Sequence, residues 1–163
     1  MRELRERRDR ARLADIVELR LDGVADIDVA GALEGRLRPV IVTCRPAWEG
    51  GRFDGAEEDR LRILGDAARL GAEYVDVEWQ ADRRALRVDG RTALVLSHHD
   101  FSGIAPDLDA RVRAMCAERP AIVKIAVTPQ RLADCLDLRS AIPAAVRHVT
   151  IAMGPKGRLT RVC

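Results

Sequence analysis

Six short runs rich in Val, Ile, Leu and Ala recur along this chain, at residues 15–21, 39–44, 74–78, 93–97, 121–127 and 148–153, with helix-patterned stretches between them. Strands that alternate with amphipathic segments have few workable connections. The economical one is a series of βαβ units with parallel strands covered by helices. Helical segments are expected at 2–13, 29–37, 56–70, 82–86, 107–118 and 129–141. The runs 93–96 and 121–127 are almost continuously apolar, as suits parallel strands buried on both faces. The fold class is therefore α/β. With 163 residues and no Pro/Gly/Ser-rich divider, a single domain over 1–163 is expected.

One residue breaks the most apolar of these runs. Lys124 sits inside Ile122-Val123-Lys124-Ile125-Ala126. The chain holds 28 Lys plus Arg, and only Lys124 and Lys156 are lysines. Arginine keeps its charge under all ordinary conditions. An amine can shed its proton and then attack a carbonyl to form a Schiff base. A lysine in a strand can also simply extend its charged head to solvent.

Other ionisable groups gather where the predicted strands end: Glu18, Arg20 and Asp22; Thr43 and Arg45; Asp76 and Glu78; Ser97, His98, His99 and Asp100; and Arg161 beyond Met153. Each alone reads as an ion pair at a sheet edge. Together they mark the edge where parallel α/β folds build their sites. Imine chemistry needs an amine, a proton shuttle and an anchor for the substrate. Lys124 supplies the first and His99 or His98 the second. Glu49 or Glu18 is placed to orient the imidazole, and Arg45 or Arg161 to clamp a carboxylate.

Composition excludes several alternatives. Charged residues make up 33% of the chain but nearly cancel, with a net charge of +2, so no nucleic-acid partner is expected despite a pI near 8.5. The arginine-rich start is interleaved with Glu3, Glu6 and Asp9 and reads as a solvated helix face. Cys44, Cys116, Cys135 and Cys163 have no metal-ligand spacing, so no metal is expected. No GxGxxG follows the first strand, which disfavours a dinucleotide fold. Gly154 and Gly157 form either a small anion cradle or a tight turn. The absence of a signal peptide or membrane-length apolar run leads to the expectation of a cytoplasmic protein with no membrane partner.

Six blocks then carry a resemblance. They are Glu18-Leu19-Arg20-Leu21-Asp22, Thr43-Cys44-Arg45 followed by Glu49-Gly50-Gly51, Asp76-Val77-Glu78, Ser97-His98-His99-Asp100-Phe101, Val123-Lys124-Ile125-Ala126, and Met153-Gly154 with Gly157 and Arg161. In this order and spacing the chain resembles type I 3-dehydroquinate dehydratase, the Schiff-base class of that enzyme. The resemblance implies a (β/α)8 TIM barrel and a lyase of the shikimate route to aromatic compounds that removes water from 3-dehydroquinate. It implies no cofactor and a small-molecule substrate; a homodimer is compatible with it. Lys124 matches the imine-forming lysine, His99 the acid/base, and Glu49 the acid paired with that histidine. His98 matches a variable neighbour. Glu18, Arg20, Arg45 and Arg161 match substrate-binding positions, and Met153 a residue packed near the lysine.

Against that pattern the chain is expected to form only about six βα units, lacking the first and last strands of the barrel. A truncated reading frame, a degenerate relative and strands supplied in trans all fit that expectation. Two other functions stay open: a Schiff-base barrel lyase of aldolase type, and an inactive or metabolite-sensing dehydratase-like domain.

Overall fold

The computed structural model describes residues 1–88 and 90–161, without the side chains of Leu159 and Arg161. Six strands alternate with helices among the described residues, and they fall into two compact units. The first comprises Met1–Val77 and Ala81–Leu94, the second Glu78–Gln80 and Val95–Cys163.

In the first unit, α1 (Arg2–Arg10), α2 (Val29–Leu33) and α3 (Glu57–Arg69) accompany β1 (Val17–Arg20), β2 (Val40–Thr43) and β3 (Tyr74–Glu78, of which Glu78 belongs to the second unit). β1 pairs parallel with β2, and β2 parallel with β3, with Arg20, Thr43 and Asp76 in register at the C-terminal end. Strand alternation then sorts the residues into two rows. Leu19, Val40, Val42, Val75 and Val77 make one row and are almost wholly buried. The apolar stripe Leu61, Leu64, Ala67 and Ala68 of α3 is buried in the same unit, where α3 packs on β2. Each such Val or Leu contributes about 1.5–3 kcal/mol on burial. An exposed pair such as Arg62–Asp59, at 2.7 Å, is screened by water and adds little. The apolar row therefore holds the unit together, and the many surface arginine pairs do not. The other row is Glu18, Arg20, Thr43 and Asp76.

The second unit contains β4 (Ala93–Asp100, of which the first two residues belong to the first unit), α4 (Leu108–Ala117), β5 (Ile122–Val127), α5 (Ala133–Ser140) and β6 (His148–Ala152), followed by a 3-10 segment at Pro155–Arg161. β4 pairs parallel with β5, and β5 parallel with β6. Val123, Ile125 and Val127 are fully buried in the row that meets α4. β5 is thus not apolar on both faces: Lys124 belongs to the alternate row.

Several expectations are corrected. β4 runs three residues past the predicted end at 97, because His98, His99 and Asp100 keep register with Ile125, Ala126 and Val127. The stretch 82–86 is only a 3-10 turn at Arg83–Ala85, too short to nucleate an α-helix. α5 starts at Ala133 rather than 129, since the Asp134 carboxylate accepts the backbone N–H groups of Gln130 and Arg131 and fixes a turn there. On α1, Arg8 is buried rather than solvated and donates to the Ala32 carbonyl at 2.6 Å. Arg60 is another buried guanidinium: it donates to the Cys44 carbonyl at 2.9 Å and to both oxygens of Glu57, tying α3 to the end of β2.

Candidate active site

The polar row of the first unit converges on two carboxylates. Asp22 lies in a 3-10 turn directly after β1, and its side chain is buried. Arg20 Nε and Nη2 each donate to it at 2.8 Å, as a two-pronged pair. Its oxygens also accept the backbone N–H groups of Arg45, at 3.1 Å, and Arg52, at 3.2 Å. Burial alone raises the Asp22 pKa, but the Arg20 guanidinium and the two amides outweigh it and hold the carboxyl below its usual range. The reciprocal bond to Asp22 raises Arg20. Beside this pair, Glu18 accepts from the Thr43 hydroxyl at 2.8 Å.

The second carboxylate is Asp76, fully buried on β3, which accepts from Arg45 Nη2 at 2.8 Å. Arg45 Nη1 reaches Glu49 at 3.3 Å. Glu49, Arg45 and Asp76 therefore form a buried chain of alternating charge. Buried charges persist only when so paired, and removing one partner is costly. In this arrangement the Arg45 fork engages protein carboxylates, so Arg45 orients Glu49 and Asp76 rather than offering both prongs to a ligand.

The loop carrying Glu49 is shaped by the two glycines after it. Glu49 ends a 3-10 turn at Ala47–Glu49, and Gly50 closes it with φ 75°, a left-handed conformation that favours glycine. Gly51 packs so tightly on the Arg45 carbonyl that an added Cβ would lie 1.9 Å from that oxygen. The loop returns through Phe53 N–H to the same carbonyl at 3.1 Å. Gly51→Ala is expected to displace the Glu49 turn and destabilise the protein by about 1–3 kcal/mol, the usual cost of forced overpacking, in a denaturant titration.

The polar row of the second unit includes the imine candidate. Lys124 is 9% exposed. Ser97 on β4 is its register partner on one side and Val149 on β6 on the other. His99 pairs with Ala126, two residues farther on, and therefore shares the Lys124 face. Strand geometry places the Lys124 and His99 Cα atoms about 8 Å apart, a separation that both side chains can span to a small molecule.

His98 belongs to the opposite face. Its Nε2 lies 3.1 Å from Arg111 Nη1 on α4, and Arg111 in turn binds Asp107 at 3.0 Å. Arginine only donates, so Nε2 is the accepting atom of this contact. Asp100 falls on the same side as His98. It binds the Ser102 N–H at 2.8 Å and its hydroxyl at 2.5 Å, shaping the loop after β4.

Met153 follows β6 and donates its backbone N–H to Val127 at 2.7 Å, on the Lys124 row but four residues beyond Val149. The side chain of Arg161 lies outside the described residues, as does Cys163. Gly154 takes φ 72°, and a Cβ on Gly157 would lie 1.9 Å from the Ala152 carbonyl. These glycines thus serve a tight turn that brings the 3-10 segment against the end of β6. Sequence reasoning gave Asp22 no task of its own. Its signal was an aspartate two residues after an arginine at a strand end, within bidentate reach once the chain turns.

Comparison with known proteins places this geometry. The family model for type I 3-dehydroquinase matches residues 1–163. The 3-dehydroquinate dehydratase of Methanothermobacter thermautotrophicus is 36% identical over 156 residues, covering 91% of this chain and 70% of that protein. That of Desulfotalea psychrophila is 32% identical, covering 91% and 71%. Among solved structures, the 3-dehydroquinate dehydratase of Enterococcus faecalis superposes with a TM-score of 0.84 at 28% identity, over 99% of this chain and 78% of that one. The α/β fold of that protein is thus the fold this chain is similar to, and six parallel-type strands with their intervening helical segments lie among the described residues. The chain belongs to the type I 3-dehydroquinase family.

Proposed function

We propose that this chain removes water from 3-dehydroquinate to give 3-dehydroshikimate through an imine on Lys124. The observation that carries the reading is the placement of Lys124, a nearly buried amine in the row that also holds His99, in a member of this family. The family match over residues 1–163 supports treating both units as one catalytic domain. The chemistry suits a cytoplasmic metabolic route.

The Lys124 amine adds to the substrate ketone, and loss of water gives an iminium. The iminium draws electrons from the neighbouring carbon and acidifies its proton. His99 takes that proton and returns one to the departing hydroxyl, so one water leaves and a conjugated double bond forms. Hydrolysis then frees Lys124. Glu49 serves as the auxiliary acid, Arg20 and Glu18 hold substrate hydroxyl and carboxyl groups, Arg161 clamps the carboxylate, and Met153 lines the site. Arg45 acts mainly by fixing Glu49.

Ultraviolet absorption of the enone product tests the assignment. Purified protein mixed with 3-dehydroquinate is expected to generate it catalytically. Absence of turnover, with turnover of an aldol donor instead, would move the chain to the aldolase type.

A further inference from the structure

We propose that Asp22 is a positioning residue that locks the substrate-binding Arg20 and the Glu49-bearing loop into one rigid unit. The proposal rests on the dehydratase reading for what Arg20 and Glu49 do, but its geometry stands apart from that reading. Four N–H groups converge on one buried carboxylate. Oδ1 accepts Arg20 Nε and the Arg45 amide, and Oδ2 accepts Arg20 Nη2 and the Arg52 amide. Arg45 and Arg52 bracket the turn that holds Glu49 at Ala47–Glu49. The carboxylate therefore bridges the end of β1 to both ends of the loop that follows β2.

Each acceptor site serves one prong of Arg20 and one loop amide. A shift of the loop thus pulls on the guanidinium, and a rotation of Arg20 releases the loop. Arg20 is itself half-exposed, whereas the Asp22 side chain is 1% exposed. Arg20 can meet a ligand; Asp22 can act only through the groups it holds. Its depressed pKa keeps it ionised at neutral pH, so all four acceptor positions are available there.

Asp22→Asn is the informative variant, because it keeps the shape and exchanges one oxygen for an NH2. Whichever way the carboxamide turns, its NH2 faces one loop amide and one prong of Arg20, donor against donor. Expected results with 3-dehydroquinate are a kcat/KM about a hundredfold lower, with KM raised and kcat reduced together. Adding Arg20→Ala to Asp22→Asn is expected to lower kcat/KM by less than about threefold more, because the pair acts as one unit. Effects that multiply in full, or Asp22→Asn within twofold of the parent, would overturn the proposal. Hydrogen exchange supplies a readout that needs no turnover: one of the Arg45 and Arg52 amides should exchange at least about tenfold faster in Asp22→Asn, with the β5 amides unchanged. A parent protein without turnover sinks the dehydratase reading alone. Unaltered protection of both loop amides sinks the positioning role alone.

Discussion

Lys124→Arg is expected to remove turnover of 3-dehydroquinate. The arginine retains a positive charge and a comparable length, so most electrostatic contributions of the position survive. It loses the one property the reaction requires, a nitrogen that can exist neutral and attack a carbonyl. Activity is expected to fall by at least about 10⁴-fold, the scale on which covalent nucleophiles fail when removed. Lys124 is 9% exposed, and the bulkier guanidinium also crowds Ser97 across the ladder. Lys124→Met, matched in length and uncharged, separates the two effects. It is expected to be equally inactive in the enone assay. Turnover above one percent in either variant would mean that another group forms the covalent intermediate, or that none forms.

The two adjacent histidines are expected to respond in opposite ways. His99→Ala should lower kcat by about 10²–10⁴-fold, the usual contribution of a positioned acid/base, with little change in the denaturation midpoint. His98→Ala should leave kcat within about threefold of the parent. It removes the acceptor for Arg111 and empties a buried position, which is expected to cost about 1–3 kcal/mol of stability. Paired stability and rate measurements on the two variants read the difference directly. The contrast follows from strand geometry alone: His99 stands in the row of Lys124, and His98 in the row that meets α4. Slipping β4 by one residue would exchange their roles.

Much of this organisation is legible in the sequence because it rests on local patterns. The apolar runs at 39–44, 74–78 and 121–127 mark β2, β3 and β5 to within two residues, since short β-branched runs between helical segments have few other uses. The end of β4 is not legible in that way. Ser97, His98, His99 and Asp100 are polar, and only pairing with β5 makes them strand. The burial of Arg8 and Arg60 is equally hidden, because an arginine on a helix is assigned to solvent until a carbonyl at the right distance claims it. Those carbonyls belong to Ala32 and Cys44, which lie 24 and 16 residues away in the chain.

The same holds at the site. Lys124 stands out in the sequence because lysine is rare in this chain and rarer in an apolar strand. Residue types alone leave His98 and His99 equivalent, and alternation on β4 separates them once register is fixed. Arg45 reads as a carboxylate clamp in sequence, whereas in the fold its prongs reach Glu49 and Asp76. Asp76 is adjacent to neither residue in the chain, and the triad exists only because β2 and β3 pair with Thr43 opposite Asp76. Long-range partnership of this kind leaves no periodic trace.

Borohydride trapping tests the central claim most directly. The protein is incubated with 3-dehydroquinate, reduced with sodium borohydride, digested and mapped by mass spectrometry. The proposed mechanism predicts a stable secondary amine on the peptide bearing Lys124, absent when substrate is omitted and absent from Lys124→Met. An adduct on Lys156, or catalytic turnover with no adduct at all, would contradict it.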